Sequence, residues 1–390
     1  MNIMKVITVL CWIVAALAII GLAIWFLTGT IFGIKTSYWN AEGRKSGLFS
    51  GIRTGGLEVL NGPYQKVGTY EVWISEAHSL KIDWIAGEVS ITPYDGESIQ
   101  INEYARRELR EDEKLSYSTY ARTLSIKFFE KDTNWVFDDI TQKRLEVLIP
   151  RALSGIMNDL EVDSTSAGVH IENINAKQFE IKSISGRVEI ANAETPSFSV
   201  KTTSGSIHVD TVKSEEITIE STSGSVHVSD CAAGEFKCET TSGSIDISGD
   251  FGEAKLHSTS GSLSANGAFS EAKLHSTSGR VKLENSASAS TLSADTLSGS
   301  IELAGSFTDA DVKSTSGRVS VSSRIIPSSL KVETTSGSIQ IYVPNEGAIT
   351  VRHSSTSGSF SSDVPVTMQS SNAQFRLSST SGSVRIYELR

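Results

Sequence analysis

From about residue 160 onward, apolar and polar side chains alternate with a period of two, and the alternation restarts every 18 to 24 residues. Each restart carries a variant of Thr-Ser-Gly-Ser. Its glycine position is held by Ala167, Gly186, Gly205, Gly224, Gly243 and Gly261, then by Gly279, Gly299, Gly317, Gly337, Gly358 and Gly382. Five residues earlier stand Val162, Ile181, Val200, Ile219, Cys238 and Leu256, and seven earlier Leu160, Phe179, Phe198, Ile217 and Phe236. Two residues after the glycine come Val169, Val188, Ile207, Val226 and Ile245, and four after it Ile171, Ile190, Val209, Val228 and Ile247. Period-two alternation on both sides of the glycine predicts two short strands per repeat, each with one face in a core. The inward parity changes from odd to even across the glycine, so Thr-Ser-Gly-Ser must be a bend. Glycine there is expected to supply a positive φ or a bulge. A repeat this short is one coil of a solenoid rather than a propeller blade or an immunoglobulin sandwich. The pattern therefore predicts an all-β, single-stack β-solenoid of about twelve coils of 18–24 residues.

Smaller features refine this expectation. The serine before each glycine, from Ser166 to Ser381, is expected to stack on its equivalents and satisfy the corner's backbone groups. Some arcs between coils carry one apolar residue, Val212, Cys231, Phe251, Phe269 or Phe307, placed to plug a corner. After Gly382 one strand remains, so the last coil is expected to present an unpaired edge. Either Arg385, Glu388 and Arg390 protect that edge by charge, or it serves self-association or a partner.

The N-terminal third reads differently. Val6 to Ile34 is a run of 29 residues without a charge, enough for a helix across the ~30 Å hydrocarbon core. Trp25, Phe26 and Phe32 stand where a cleavable signal peptide would have small residues, and Val9 and Leu10 ahead of Cys11 do not suit lipidation. The expectation is one transmembrane α-helix within a 1–35 anchor, contacting the lipid bilayer through residues 6–34. Lys35, Arg44, Lys45 and Arg53 would place the large domain inside by the positive-inside rule. A very short tail ahead of a long C-terminal domain favours the opposite, extracytoplasmic placement, and that is the expectation adopted. Residues 36–78 read as a Gly-rich juxtamembrane linker. Leu80, Ile82, Trp84, Val89 and Ile91, then Leu145, Val147 and Ile149, mark 79–159 as a β-rich capping module ahead of a solenoid over 160–390.

Composition removes several function classes. With 35 basic and 45 acidic residues the formal net charge is −10, and no Lys/Arg stripe opposes it, so nucleic acid is not an expected partner. Three cysteines, Cys11, Cys231 and Cys238, make neither a disulfide framework nor a zinc site, though a Cys231–Cys238 disulfide stays open for an extracytoplasmic domain. No catalytic, cofactor-binding or metal-binding residues are expected, since repeated equivalent serines identify no activated nucleophile. Three residues after the glycine, His170, Glu189, His208, His227 and Asp246 form one outward column. It reads as a solvated ladder in preference to a zinc site through His208 and His227. An ice-binding face is set aside because it needs two Thr columns on one flat face, whereas the Ser/Thr column adjacent to the recurrent Thr is expected to point the other way.

Leu145-Glu-Val-Leu-Ile-Pro150, the following Leu160-Glu-Val-Asp-Ser-Thr-Ser-Ala-Gly and the Thr-Ser-Gly-Ser coils resemble the bacterial putative-adhesin family, a domain of unknown function with Ser/Thr-Gly β-solenoid repeats. Ile341-Tyr-Val-Pro344 followed by Ser357-Gly358 repeats the strand-Pro pattern, so the resemblance covers about 79–390. It implies a membrane-attached or cell-envelope location, carries over no catalytic residues and no cofactor, and suggests adhesion to an envelope protein or polysaccharide. Two other readings are weighed: a carbohydrate-active solenoid enzyme of the envelope, and a cytoplasm-facing membrane scaffold in an envelope-stress system.

Overall fold

The alternation produces parallel strands that stack one coil on the next. Val188–Thr202 pairs in register with Ile207–Ser221, Ile190 beside Val209 and Val200 beside Ile219, and the same pairing runs on through Val226–Thr240, Ile245–Ser258 and Leu263–Ser276. The protein is described here as a computed structural model, in which residues 63–129, 142–155, 157–287, 290–367 and 371–389 are placed. The chain divides into Met1–Asn61 and Gly62–Arg390, and all described residues belong to the second unit. The expected membrane helix lies outside the described residues, among which no helix is long and apolar enough to cross a membrane.

The unit is an all-β solenoid of about 11 turns with a β-rich N-terminal module. The inward columns are those the sequence predicts: Phe179, Ile181, Val188 and Ile190 are buried, as are their equivalents in neighbouring coils. Fully burying one such side chain is worth roughly 1.5–3 kcal/mol. The arc residues Val212, Cys231, Phe251, Phe269 and Phe307 are buried as corner plugs. Phe251 stacks on Phe269 with ring centroids 5.6 Å apart. Cys231 and Cys238 are both free and buried. Burial raises both thiols above their ordinary value, Cys231 to about 11, so neither is a reactive thiolate.

Three local expectations are corrected. First, between Val188 and Ser276 the second strand of each coil runs through the arc into the next coil's first strand, giving single strands of 14 or 15 residues rather than two short ones. The arc bends at one residue of positive φ: Asn173 (57°), Asn192 (54°), Thr211 (54°) and Asp230 (52°), then Gly249 and Gly267. Second, the repeat glycines are therefore not the positive-φ positions. A Cβ at Gly224 would lie 1.9 Å from the carbonyl oxygen of Gly205, and one at Gly205 equally close to that of Gly186. Glycine is needed because the backbones of successive bends nearly touch. Third, the hydroxyl that holds the bend is three residues before the glycine. Ser221 and Thr202 are buried, and their side-chain oxygens accept the N–H of Gly224 and Gly205 at 2.9 Å. Ser258 and Ser276 do the same for Gly261 and Gly279 at 2.8 Å. The serine directly before the glycine is exposed instead, and in several coils, as at Ser185, its hydroxyl donates to a carbonyl of the coil below.

Both ends depart from chain order. At the N-terminal end, Ser79–Trp84 lies between Thr123–Lys127 and Met157–Ser164, so the later segment is the outer coil. Antiparallel strands then close the stack. Ser98–Ala105 pairs with Lys143–Pro150, Gln65–Trp73 pairs with Ser98–Ala105, and Ser116–Tyr120 pairs with Thr123–Lys127. The linker expected over 36–78 thus gives way to a strand at Gln65, where Tyr70 and Val72 alternate against the cap. Lys143 braces this module. Its buried ammonium donates to Glu103 Oε1 at 2.6 Å, to the Glu113 carbonyl at 2.8 Å and to the Phe128 carbonyl, and it lies over the Phe128 ring.

At the C-terminal end, Gln374–Ser381 inserts between Ser329–Thr334 and Ile349–Ser357, and Val384–Glu388 between Ile339–Val343 and Phe360–Ser362. The edge expected at Val384–Glu388 is therefore paired on both sides, and the outermost element is the earlier segment. Composition explains the exchange. Phe375, Leu377, Val384 and Ile386 are buried inward residues, whereas the positions registered beside them are Val351, His353, Phe360 and Ser362. The more apolar coil takes the interior place. The segment around Gly358 is only a partial cover, which brings the twelve expected coils down to about 11.

Candidate binding groove

The outward column expected to carry chemistry is assembled in register: Glu189 sits beside His170 and His208, His208 beside His227, and His227 beside Asp246. The side chains do not converge. The His208 and His227 rings lie 6.0 Å apart. His170 Nδ1 turns to Glu189 at 3.6 Å and His227 Nδ1 to Asp246 at 3.4 Å. His208 is held below its ordinary pKa, first by burial and then by nearby Arg187. Among the described residues no group of three or more His, Cys, Asp or Glu side chains is arranged to hold a metal ion.

A different feature dominates the surface. The bend turns the residue two before each glycine outward, beside the outward residue four before it, and the buried hydroxyl residue between them forms a floor. Repeated coil after coil, this makes a groove across the strands. One stretch, of about 640 Å³, begins at Asp83 and Asp163, passes Lys182, Lys201 and Glu220, and reaches His257. A second, of about 610 Å³, continues on the next coil from His275 through Asp295, Lys313 and Glu333 to Ser378. The facing rail is threonine, Thr203, Thr222, Thr241 and Thr259 among others, interrupted by Ile184 and Leu297. Those two aliphatics are 54% and 55% exposed.

The charged rail mixes signs. Lys201 pairs with Glu220 of the next coil at 3.2 Å. His257 and His275 stack with rings 4.8 Å apart and almost parallel, and His275 is hydrogen-bonded to Asp295. At the N-terminal mouth Asp83 and Asp163 are register neighbours. Asp163 is pushed above its ordinary pKa by burial and then by Glu161, while Glu161 is lowered by its hydrogen bond to Lys81. The groove was legible in principle, because the residue four before each glycine is flanked by two inward positions and must face out. Comparing that column across coils would have placed His257 beside His275. As expected, the Ser/Thr column three before the glycine is buried in nearly every coil and faces away from the exposed Thr column, which borders a charged groove rather than a flat face.

The toastrack DUF4097 family model matches residues 77–266 and 250–386, together most of the chain. The chain belongs to this family. Among solved structures it is similar to a putative adhesin from Parabacteroides distasonis ATCC 8503 at 13% identity and TM-score 0.28, covering 84% of this chain and 98% of that one. It is also similar to a putative cell adhesion protein from Clostridium sporogenes ATCC 15579 at 8% identity and TM-score 0.19, covering 84% and 100%. A third is a putative lipid binding protein from Parabacteroides distasonis ATCC 8503, at 11% identity and TM-score 0.27, covering 84% and 98%. No curated protein matches the sequence.

Proposed function

We propose that this toastrack protein is a non-enzymatic β-solenoid of the cell envelope, tethered to the bilayer through residues 6–34 with the solenoid on the extracytoplasmic side, and that it binds an extended envelope partner along the groove. The observation that carries the reading is the groove's repetition: most coils offer one hydroxyl and one charged or imidazole group at the same two places. Such a surface suits many weak, equivalent contacts that sum along a long ligand. Labelled full-length protein should bind isolated cell envelopes, and Thr222→Leu, which fills the groove, should reduce that binding at least tenfold. Undiminished binding by the variant would remove the groove from the function. Placement is tested separately: protease added to intact cells should degrade the solenoid, and protection would put it inside.

A second reading, cleavage of the partner, draws on one local observation. Asp163, with its raised pKa, adjoins Asp83 at the groove mouth, and a pair of carboxyl groups is the minimum for acid/base hydrolysis. Release of reducing ends from envelope polysaccharide, abolished by Asp163→Asn, would establish it.

A further inference from the structure

The geometry points to a neutral, linear glycan as the occupant of the groove, laid along the coil stack so that successive sugars meet successive coils. This inference rests on the groove being the contact surface. Three observations favour a glycan over other polymers. The first is periodicity. Neighbouring coils repeat at about 4.8 Å, so only a ligand that itself repeats can use the same contacts again and again. A folded partner has no such repeat to match.

The second is the kind of polar group. Lys182 and Lys201 are followed by Glu220 and Glu239 on the same rail. An ammonium only donates and a carboxylate only accepts, whereas a sugar hydroxyl does both and is satisfied by either. A polymer of one charge would meet repulsion from one of these pairs wherever it lay, which disfavours polyanions and polycations. The opposite rail of threonines presents hydroxyls of the same dual kind. Exposed ion pairs such as Lys201–Glu220 hold their side chains only weakly, so their groups can turn toward a ligand.

The third is the backbone. In the bend, Ser204 N–H donates to the Ile184 carbonyl at 2.8 Å, Ser223 to Thr203 at 2.9 Å and Ser242 to Thr222 at 3.0 Å. These groups are spent on coil-to-coil bonds. A peptide therefore cannot add itself as a strand here, and the usual main-chain source of affinity for extended peptides is lost.

The test is calorimetric titration of the full chain, with detergent present for its apolar N-terminal stretch. The probes are β-1,4-linked N-acetylglucosamine oligomers and cello-oligosaccharides of two to eight units. One series is expected to bind, with affinity rising at least tenfold between trimer and hexamer. Thr222→Leu should weaken hexamer binding at least tenfold, and the same column already accommodates Leu297. Glu220→Gln combined with Glu239→Gln, which preserves side-chain size, should weaken it at least threefold should the leucine variant misfold. Absence of binding by both series, affinity independent of length, or indifference to these variants overturns the glycan. Tighter binding of heparin or of a mixed-charge extended peptide overturns it as well. The two levels fail separately: if envelopes bind in a Thr222→Leu-sensitive manner while both glycan series do not, the groove stands and the glycan falls.

Discussion

Replacing Gly224 by alanine isolates the packing role of the repeat glycine from any conformational one. The backbone at Gly224 is not in the positive-φ region, so alanine is unstrained there. Its Cβ would nonetheless lie 1.9 Å from the Gly205 oxygen and 2.7 Å from the Gly205 carbonyl carbon. Relief requires the two bends to separate until the contact reaches at least 3.0 Å. The hydrogen bonds bridging the same gap, Ser223 N–H to Thr203 O at 2.9 Å and Thr222 N–H to Thr202 O at 3.2 Å, would then be stretched beyond useful length. Two lost bonds of about 0.5–1.5 kcal/mol each, with part of the desolvation cost of the exposed partners, amount to about 2–4 kcal/mol. Valine at Gly224 should cost at least as much. Gly347→Ala, with nothing within 4 Å of its added carbon, and the surface change Lys213→Glu should each stay within about 0.5 kcal/mol. Solenoid stability is summed over neighbouring coils. Urea unfolding followed by circular dichroism should therefore be paired with hydrogen exchange of the Thr203–Val226 amides. A Gly224→Ala protein with wild-type midpoint and wild-type exchange at those amides would refute the close-approach argument.

Thr211 is a β-branched residue at φ 54° in a column otherwise held by Asn173, Asn192 and Asp230, so Thr211→Asn should stabilise by about 0.5–1 kcal/mol, read as a higher urea midpoint. Glu113 is lowered from 4.5 to about 2, chiefly by its hydrogen bonds to Arg107. Its contribution to stability is therefore complete above the unfolded value and lost as pH falls from about 4.5 toward 2, a slope that Glu113→Gln should flatten in acid titrations. Removing residues 371–390 should expose Ile349–Phe360 to protease although those residues remain in the chain, because their main partner strand is deleted; continued protection would contradict the exchanged coil order.

How much was legible follows from which interactions are local. The inward columns and the corner plugs could be read because strand alternation is a property of neighbouring residues, and twelve near-copies average out the exceptions. The special backbone positions were misassigned for the same reason that made the glycine conspicuous. Its recurrence in eleven of the twelve copies suggested a torsional demand, whereas the demand is an inter-coil distance that no single copy contains. Asn173, Asn192, Asp230 and Gly249, six residues after the glycine position, carried the torsional signal in plain view, being the residue types that tolerate positive φ.

By itself, the sequence determined that this chain forms a parallel β-solenoid, since a short repeat of two half-apolar strands can bury its face only against its own copies. Only the tertiary structure decided the order of coils at both ends, because which segment lies inside depends on competition between segments for one core. Phe375 and Leu377 win that place over Val351 and His353. The groove is likewise a tertiary product. Its rails are single residues from successive coils, brought about one strand spacing apart by stacking and not by proximity in the chain.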